Sequence, residues 1–267
     1  MALTGLQIQK LLPKTNCKEC GSNTCLAFAM KLAARKADIS LCPYASEEAI
    51  KVLGAAYEPP VRKIELGADK SLILGDETVL YRHEKTFVNQ TALAVNLTDT
   101  DSAHEIDGVL KDIGSYVLER VGESISIDMV SVTHKGNDTG MFVNLVQKVW
   151  ETLKIPLILR SVKPEALVAG AEAVNGSSGV LASATPDTAE TLGEFARKSG
   201  FALAVTAPDL DQLVSLTSNL REKSFNNLLL EFKTGSLAEQ FQTNFISRRM
   251  AIKNNYKPLG YPFIHFL

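Results

Sequence analysis

Beyond residue 42 this chain of 267 residues has no cysteine, and it carries a single tryptophan. Unligated core cysteines would scatter along the sequence, so gathering all four near one end argues against that role. No apolar run approaches the roughly 20 residues needed to cross a bilayer. The longest candidate, KIPLILRSV at 154–162, reads as a strand. No signal peptide is visible, so a reducing cytoplasm is the expected location, and disulfides are disfavoured there. The 28 Lys and Arg nearly balance the 30 Asp and Glu, for a net charge of −2. That leaves no basic footprint for nucleic acid.

Several catalytic strings are missing too. There is no Walker loop, no GxGxxG, no HExxH and no nucleophile elbow. The segment HKGNDTG at 134–140 has glycines in neither phosphate-binding spacing and reads as a flexible loop. His83, His104, His134 and His265 show no metal-ligand spacing, so surface or packing roles are expected for them. Trp150 closes an amphipathic helix and reads as packing.

What is present is concentrated at the start. Cys17, Cys20, Cys25 and Cys42 form C-x2-C-x4-C-x16-C, followed at once by Pro43. Thiolates are soft ligands, and four of them can close a zinc site or hold an iron–sulfur cluster. Gly21 frees the backbone beside Cys20. Thr24 is a candidate N-cap for a helix starting at Cys25, where unpaired N–H groups favour a thiolate. Cys42-Pro43 resembles the Cys-Pro that closes ferredoxin motifs. A zinc knuckle usually shows two short pairs, and here the second pair is opened to sixteen residues. The expectation is a 4Fe–4S cluster, with a zinc-stapled interaction module as an alternative.

Around that motif the sequence predicts a cluster domain over 1–58, with helices at 1–12, 24–36 and from Ser46, where Ile50 and Leu53 share a face. Tyr57-Glu58-Pro59-Pro60 reads as the break. A linker and β-hairpin follow at 59–88, capping the bottom of what comes next. From 89 to 267 strand and helix alternate. Strand candidates are 92–97, 124–132, 156–161, 179–184, 202–207, 227–232 and 262–267. Ile106, Val109, Ile113 and Val117 make one helical face; Phe142, Leu145, Val149 and Leu153 a second; Leu210, Leu213, Leu216 and Leu220 lie within a third. Pro164 and Pro208 sit where a first-turn proline is tolerated, and Gly176 and Gly200 follow helix ends.

The fold class is therefore α/β: a small N-terminal Fe–S cluster domain followed by a TIM (β/α) barrel. Seven strands fall short of the eight in a complete barrel. The last runs out on Phe263, Ile264, Phe266 and Leu267, an apolar edge that would invite aggregation. A fragment, or a short relative closed by another element, is expected. Barrel function sits at the C-terminal strand ends, here carrying Asn96, Asp99, Thr133, His134, Asn137, Asp138, Arg160, Thr185, Asp187, Thr206, Asp209 and Glu231. Most of these read as loop and cap residues. Asn96, Asp99, Asn137 and Asp138 are the candidates for holding a cofactor at the barrel mouth.

Three segments carry a family resemblance: LLPKTNCKECGSNTCLAFAMKLA at 11–33 with Cys42-Pro43 downstream, ETVLYRHEKTF at 77–87, and the run from Phe245 to Leu267 containing RRMAIKNNYKPLGYPFIHFL. Together they resemble the large (gamma) subunit of the corrinoid iron–sulfur protein of the acetyl-CoA decarbonylase/synthase system. The resemblance implies a methyl carrier between methyltetrahydropterin and acetyl-CoA synthase, a methyltransferase component that is not catalytic alone. Its 4Fe–4S cluster, on Cys17, Cys20, Cys25 and Cys42, would reactivate the corrinoid cobalt. It also implies a small (delta) subunit, a methyltransferase and the acetyl-CoA synthase subunit as partners. The corrinoid belongs to a C-terminal domain beyond this sequence, and the D-x-H-x-x-G string of histidine-on corrinoid modules does not occur here. The family's barrel is related to pterin-binding methyltransferase barrels, so a barrel that itself binds a pterin is the other alternative.

Overall fold

The computed structural model describes residues 4–266 except 35, 38, 58, 82 and 85–88. The chain divides into two units, Met1–Glu58 and Pro59–Leu267. The expected break at Tyr57–Pro60 includes Glu58, outside the described residues, as do Leu267 and part of 77–87.

Among the described residues, the first unit holds three α-helices. α1 (Gly5–Leu11) opens on a capping box in which Thr4 and Gln7 satisfy each other's backbone N–H groups. α2 (Cys25–Ala33) is capped by Thr24, whose hydroxyl accepts from the Ala27 N–H at 3.0 Å. α3 (Glu47–Tyr57) starts after Ser46, whose hydroxyl accepts from Ala49 N–H at 3.1 Å. Ile8, Leu12, Phe28, Leu32, Ile39 and Leu53 form its core, with Cys25 and Cys42 buried among them. The buried face of α3 runs through Ala49 and Leu53, four residues apart, and leaves Ile50 in solvent; the expected Ile50–Leu53 face was one position out.

The second unit opens with a hairpin, β1 (Ile64–Leu66) antiparallel to β2 (Leu72–Leu74). Then come β3 (Ala94–Thr98), α4 (Ala103–Ser115), β4 (Leu118–Arg120), β5 (Glu123–Ile125), β6 (Met129–Thr133), α5 (Thr139–Leu153) and β7 (Leu157–Arg160). α6 (Pro164–Ala173), β8 (Val180–Ala184), α7 (Ala189–Ser199), β9 (Ala202–Ala207), α8 (Leu210–Glu222), β10 (Leu228–Phe232) and α9 (Leu237–Asn254) complete it. Six strands pair in parallel in the order β3-β6-β7-β8-β9-β10. Each strand sits beside the one before it, with no reversal of direction across the sheet. Right-handed crossovers then put every helix on one face, which is how a TIM barrel winds and an open doubly wound sheet does not.

Residues on the helix side, such as Val130, Leu159, Leu203 and Leu230, pack with Phe142, Val146, Leu167 and Leu213. The opposite face carries Met129, Ile158, Val180, Ala202 and Leu229, and there Ile64 and Leu66 of the hairpin join the same cluster. Gly67 N–H donates to Ser178 O at 3.0 Å, just before β8. The hairpin thus seals the inner face at the N-terminal ends of the strands.

The last segment lies along β10: Leu230 N–H donates to Pro262 O at 2.9 Å, and Ile264 N–H to Leu230 O at 3.0 Å. Among the described residues, one isolated bridge, Leu230 to Phe263, stands where a full strand was expected at 262–267. Phe266 reaches over Arg160 of β7, with the guanidinium carbon 3.8 Å from the ring centre. In a flat sheet four strand spacings, roughly 19 Å, would separate those backbones, so the inner face is concave.

Other expectations need correction. The run at 124–132 is not one strand. Val121 and Gly122, both at positive φ, turn β4 back onto β5, and β6 begins separately at Met129. Val117 lies past the end of α4 and is 60% exposed. Pro208 precedes the N-cap Asp209 rather than entering α8. Pro164 does open α6, and Gly200 caps α7 at φ 77°.

Glycine substitutions separate turn strain from close packing. A Cβ on Gly75 would stand 2.1 Å from Arg62 O, while Gly122, at the same φ of 79°, has nothing within 4 Å. Gly122→Ala is expected to cost about 1–2 kcal/mol and Gly75→Ala about 3 kcal/mol or more, measured by denaturant unfolding.

Candidate functional site

The loop from Leu12 to Thr24 has four left-handed residues, Lys14, Asn16, Lys18 and Gly21. Asn and Gly tolerate that conformation and Lys pays for it, so the loop is bent tightly for a reason other than local preference. Its curvature brings Cys17 and Cys20 toward Cys25, the first residue of α2. Cys42 arrives from a short 3-10 turn (Ile39–Leu41), its N–H donating to Ile39 O at 3.0 Å. All four thiols are free; Cys17 is exposed, Cys20 half-buried, and Cys25 and Cys42 buried.

Burial pushes the Cys42 thiol up from its ordinary value; the Tyr44 N–H offsets part of this, and the charges of Cys20, Cys17 and Cys25 add to it. Cys17, Cys20 and Cys25 each lie within electrostatic reach of Cys42. Among the described residues, no three Cys, His, Asp or Glu side chains gather tightly enough to surround one bare ion. A soft four-sulfur donor set fits an iron–sulfur cluster.

Two details of this loop were not foreseen. Asn16 exchanges two hydrogen bonds with Cys25: its N–H donates to the sulfur at 3.4 Å and its Oδ1 accepts the Cys25 N–H at 2.8 Å. The Ser22 hydroxyl is buried and has no partner among the described residues. Asparagine before a cysteine is the only trace of the first in the sequence.

At the C-terminal strand ends, the four mouth candidates do not converge. Asp99 turns to the helix side. Its Oδ2 pairs closely with His134 Nδ1, and its Oδ1 accepts the N–H groups of Lys135 at 2.8 Å and Gly136 at 3.0 Å. His134 packs against Phe142, ring centres 5.2 Å apart. Burial alone would raise the Asp99 carboxyl, but the His134 bond, the two N–H groups and the imidazole charge hold it below its ordinary value. Asp138 caps α5, Asn96 accepts the Thr133 hydroxyl at 2.6 Å, and Asn137 is exposed.

Strand alternation places Ser131, Arg160, Thr206 and Glu231 on the concave face, above the apolar floor. Thr206 and Glu231 are register neighbours. The hydroxyls of Ser131 and Thr206 and the Glu231 Oε2 are buried without a partner among the described residues, and Glu231 is only 8% exposed. Thr206 and Glu231 lie within strands, as expected at 202–207 and 227–232. Asp209 is a cap, accepting from Gln212 N–H at 2.8 Å.

A four-thiol loop and a chain-order parallel βα sheet define an iron–sulfur-type α/β protein. The chain belongs to the family described as CO dehydrogenase/acetyl-CoA synthase delta subunit, which matches residues 63–266; an Fe-S cluster family matches 12–44. It is 35% identical to the corrinoid/iron-sulfur protein large subunit of Moorella thermoacetica, over 99% of this chain and 59% of that protein. It is 30% identical to the acetyl-CoA decarbonylase/synthase complex subunit gamma of Methanocaldococcus jannaschii, over 98% and 56%. The chain thus spans a little over half the length of these relatives. Yersinia pestis dihydropteroate synthase superimposes at a TM-score of 0.45 with 14% identity, over 65% of this chain and 70% of that one, a likeness too slight to carry weight.

Asp99 sets a pH test. Its depressed carboxyl contributes stability above its ordinary value of 3.8, lost as pH falls below that value through the folded-state one. Asp99→Asn should cost about 2–3 kcal/mol at neutral pH and flatten the acid limb of a stability–pH curve.

Proposed function

We propose that this chain forms the cluster and barrel portion of a corrinoid iron–sulfur protein large subunit. That protein would be a cytoplasmic carrier of methyl groups between a methyltetrahydropterin and acetyl-CoA synthase. The observation that carries this reading is the convergence of Cys17, Cys20, Cys25 and Cys42 in a chain of this family. Those four residues would hold a 4Fe–4S cluster; the sixteen residues between Cys25 and Cys42, where a zinc knuckle has a short pair, favour it over a single structural zinc. When bound, the cluster supplies one-electron chemistry, suited to returning corrinoid cobalt to its active state. The corrinoid itself is expected on a further C-terminal domain.

Within this chain, the left-handed loop and the Thr24-capped helix hold the thiols in place. The unpaired N–H groups at the start of α2 favour negative charge at Cys25. Exposure of Cys17 gives electrons a short path to a partner. The barrel serves as a platform for the small (delta) subunit, the methyltransferase and the acetyl-CoA synthase subunit. No helix among the described residues is long and apolar enough to cross a membrane.

A second reading rests on Glu231, Thr206 and Ser131. Buried acceptors without partners suit a donor-rich ring, and a pterin bound in the barrel would make this chain a methyltransferase in its own right.

Anaerobic reconstitution with full-length partners tests the first reading. Cys17→Ala should abolish reductive reactivation of oxidised cobalt and leave methyl transfer from pre-reduced protein intact; unchanged reactivation would count against it. Titration with a tetrahydropterin addresses the second: tight binding that Glu231→Gln removes would favour it, and no binding would sink it.

A further inference from the structure

We propose that Asn16 is a positioning residue for the cluster, clamping Cys25 and tuning the bound group's potential, with Ser22 supplying a second hydrogen bond. This rests on the cluster reading of the thiol loop. Cys25 opens α2, so its N–H is one of the donors that the helix leaves unsatisfied. The Asn16 side chain takes it at 2.8 Å. In return the Asn16 N–H points at the Cys25 sulfur at 3.4 Å. The two bonds fix both the backbone and the sulfur of one ligand to the loop that carries Cys17 and Cys20.

The conformation depends on the residue type. Asn16 sits at φ 51°, a left-handed region that asparagine enters far more readily than most residues. A donor aimed at a thiolate withdraws negative charge from it, and hydrogen bonds to sulfur are among the factors that set a cluster's potential. Such a bond stabilises the reduced, more negative form and moves the potential upward.

Ser22 adds an independent observation. Its side chain is 4% exposed, and its hydroxyl has no partner among the described residues. Buried hydroxyls are nearly always satisfied. Lying between Cys20 and Cys25 in the loop, this one has the right chemistry for a sulfur acceptor, the group that the protein alone does not provide.

The experiment uses the full chain, loaded and purified without oxygen, as wild type, Asn16→Gly, Asn16→Asp and Ser22→Ala. Iron and sulfide content, cluster loss to a chelator and an EPR-monitored redox titration are read for each. Asn16→Gly keeps the left-handed backbone and the N–H to the Cys25 sulfur but loses the acceptor for the Cys25 N–H, so its cluster should be lost several-fold faster than in wild type. Asn16→Asp keeps an acceptor for the Cys25 N–H, so it should restore the wild-type lifetime. Ser22→Ala should keep full iron and sulfide and titrate at a more negative potential. A loaded wild type with variants matching it in lifetime and potential would overturn the roles of Asn16 and Ser22 alone. A wild type without iron and sulfide would overturn the cluster reading, and this inference with it.

Discussion

Bringing four thiols within electrostatic reach of one another is the costly act in this chain. Each would be stabilised as a thiolate by a metal group, and the charges of the other three make Cys42 harder to ionise. The first unit has few other resources: among its described residues, three short α-helices and a small apolar core that includes two of the cysteines. A domain of that size is marginal without a staple. The positive-φ backbone at Lys14 and Lys18 costs free energy that a group bound inside the loop would offset.

The second unit is governed by a different constraint. A sheet whose strands follow chain order gathers its helices on one face, so the concave face must be filled from elsewhere. Below, the hairpin brings Ile64 and Leu66 to Met129, Ile158 and Leu229. Above, the filling turns polar at Ser131, Thr206 and Glu231. On the helix side the Asp99–His134 pair ties the loop after β6 back to the end of β3, so that strand-end chemistry serves the scaffold there.

The cysteine module was legible because ligand chemistry dictates residue type and spacing. The strand at 202–207 was read to its observed limits, and the Phe142, Leu145 and Val149 face of α5 is buried as its period requires. The β4–β5 hairpin was hidden because its turn uses Val121 at φ 53°, a residue that carries no turn signal. Which strand-end side chains face inward was hidden for another reason. Strands buried on both faces do not alternate in polarity, so nothing in the sequence told Asp99, turned outward, from Glu231, turned inward. The Asn16 clamp depends on a loop closure that spacing alone does not reveal.

The most direct measurement is the iron and acid-labile sulfide content of protein purified without oxygen, taken with its visible spectrum before and after dithionite. The account predicts about four iron and four sulfide per chain and a broad absorbance that bleaches on reduction. One zinc per chain with no colour would contradict it, leaving the thiol loop as a structural staple beside an unchanged barrel.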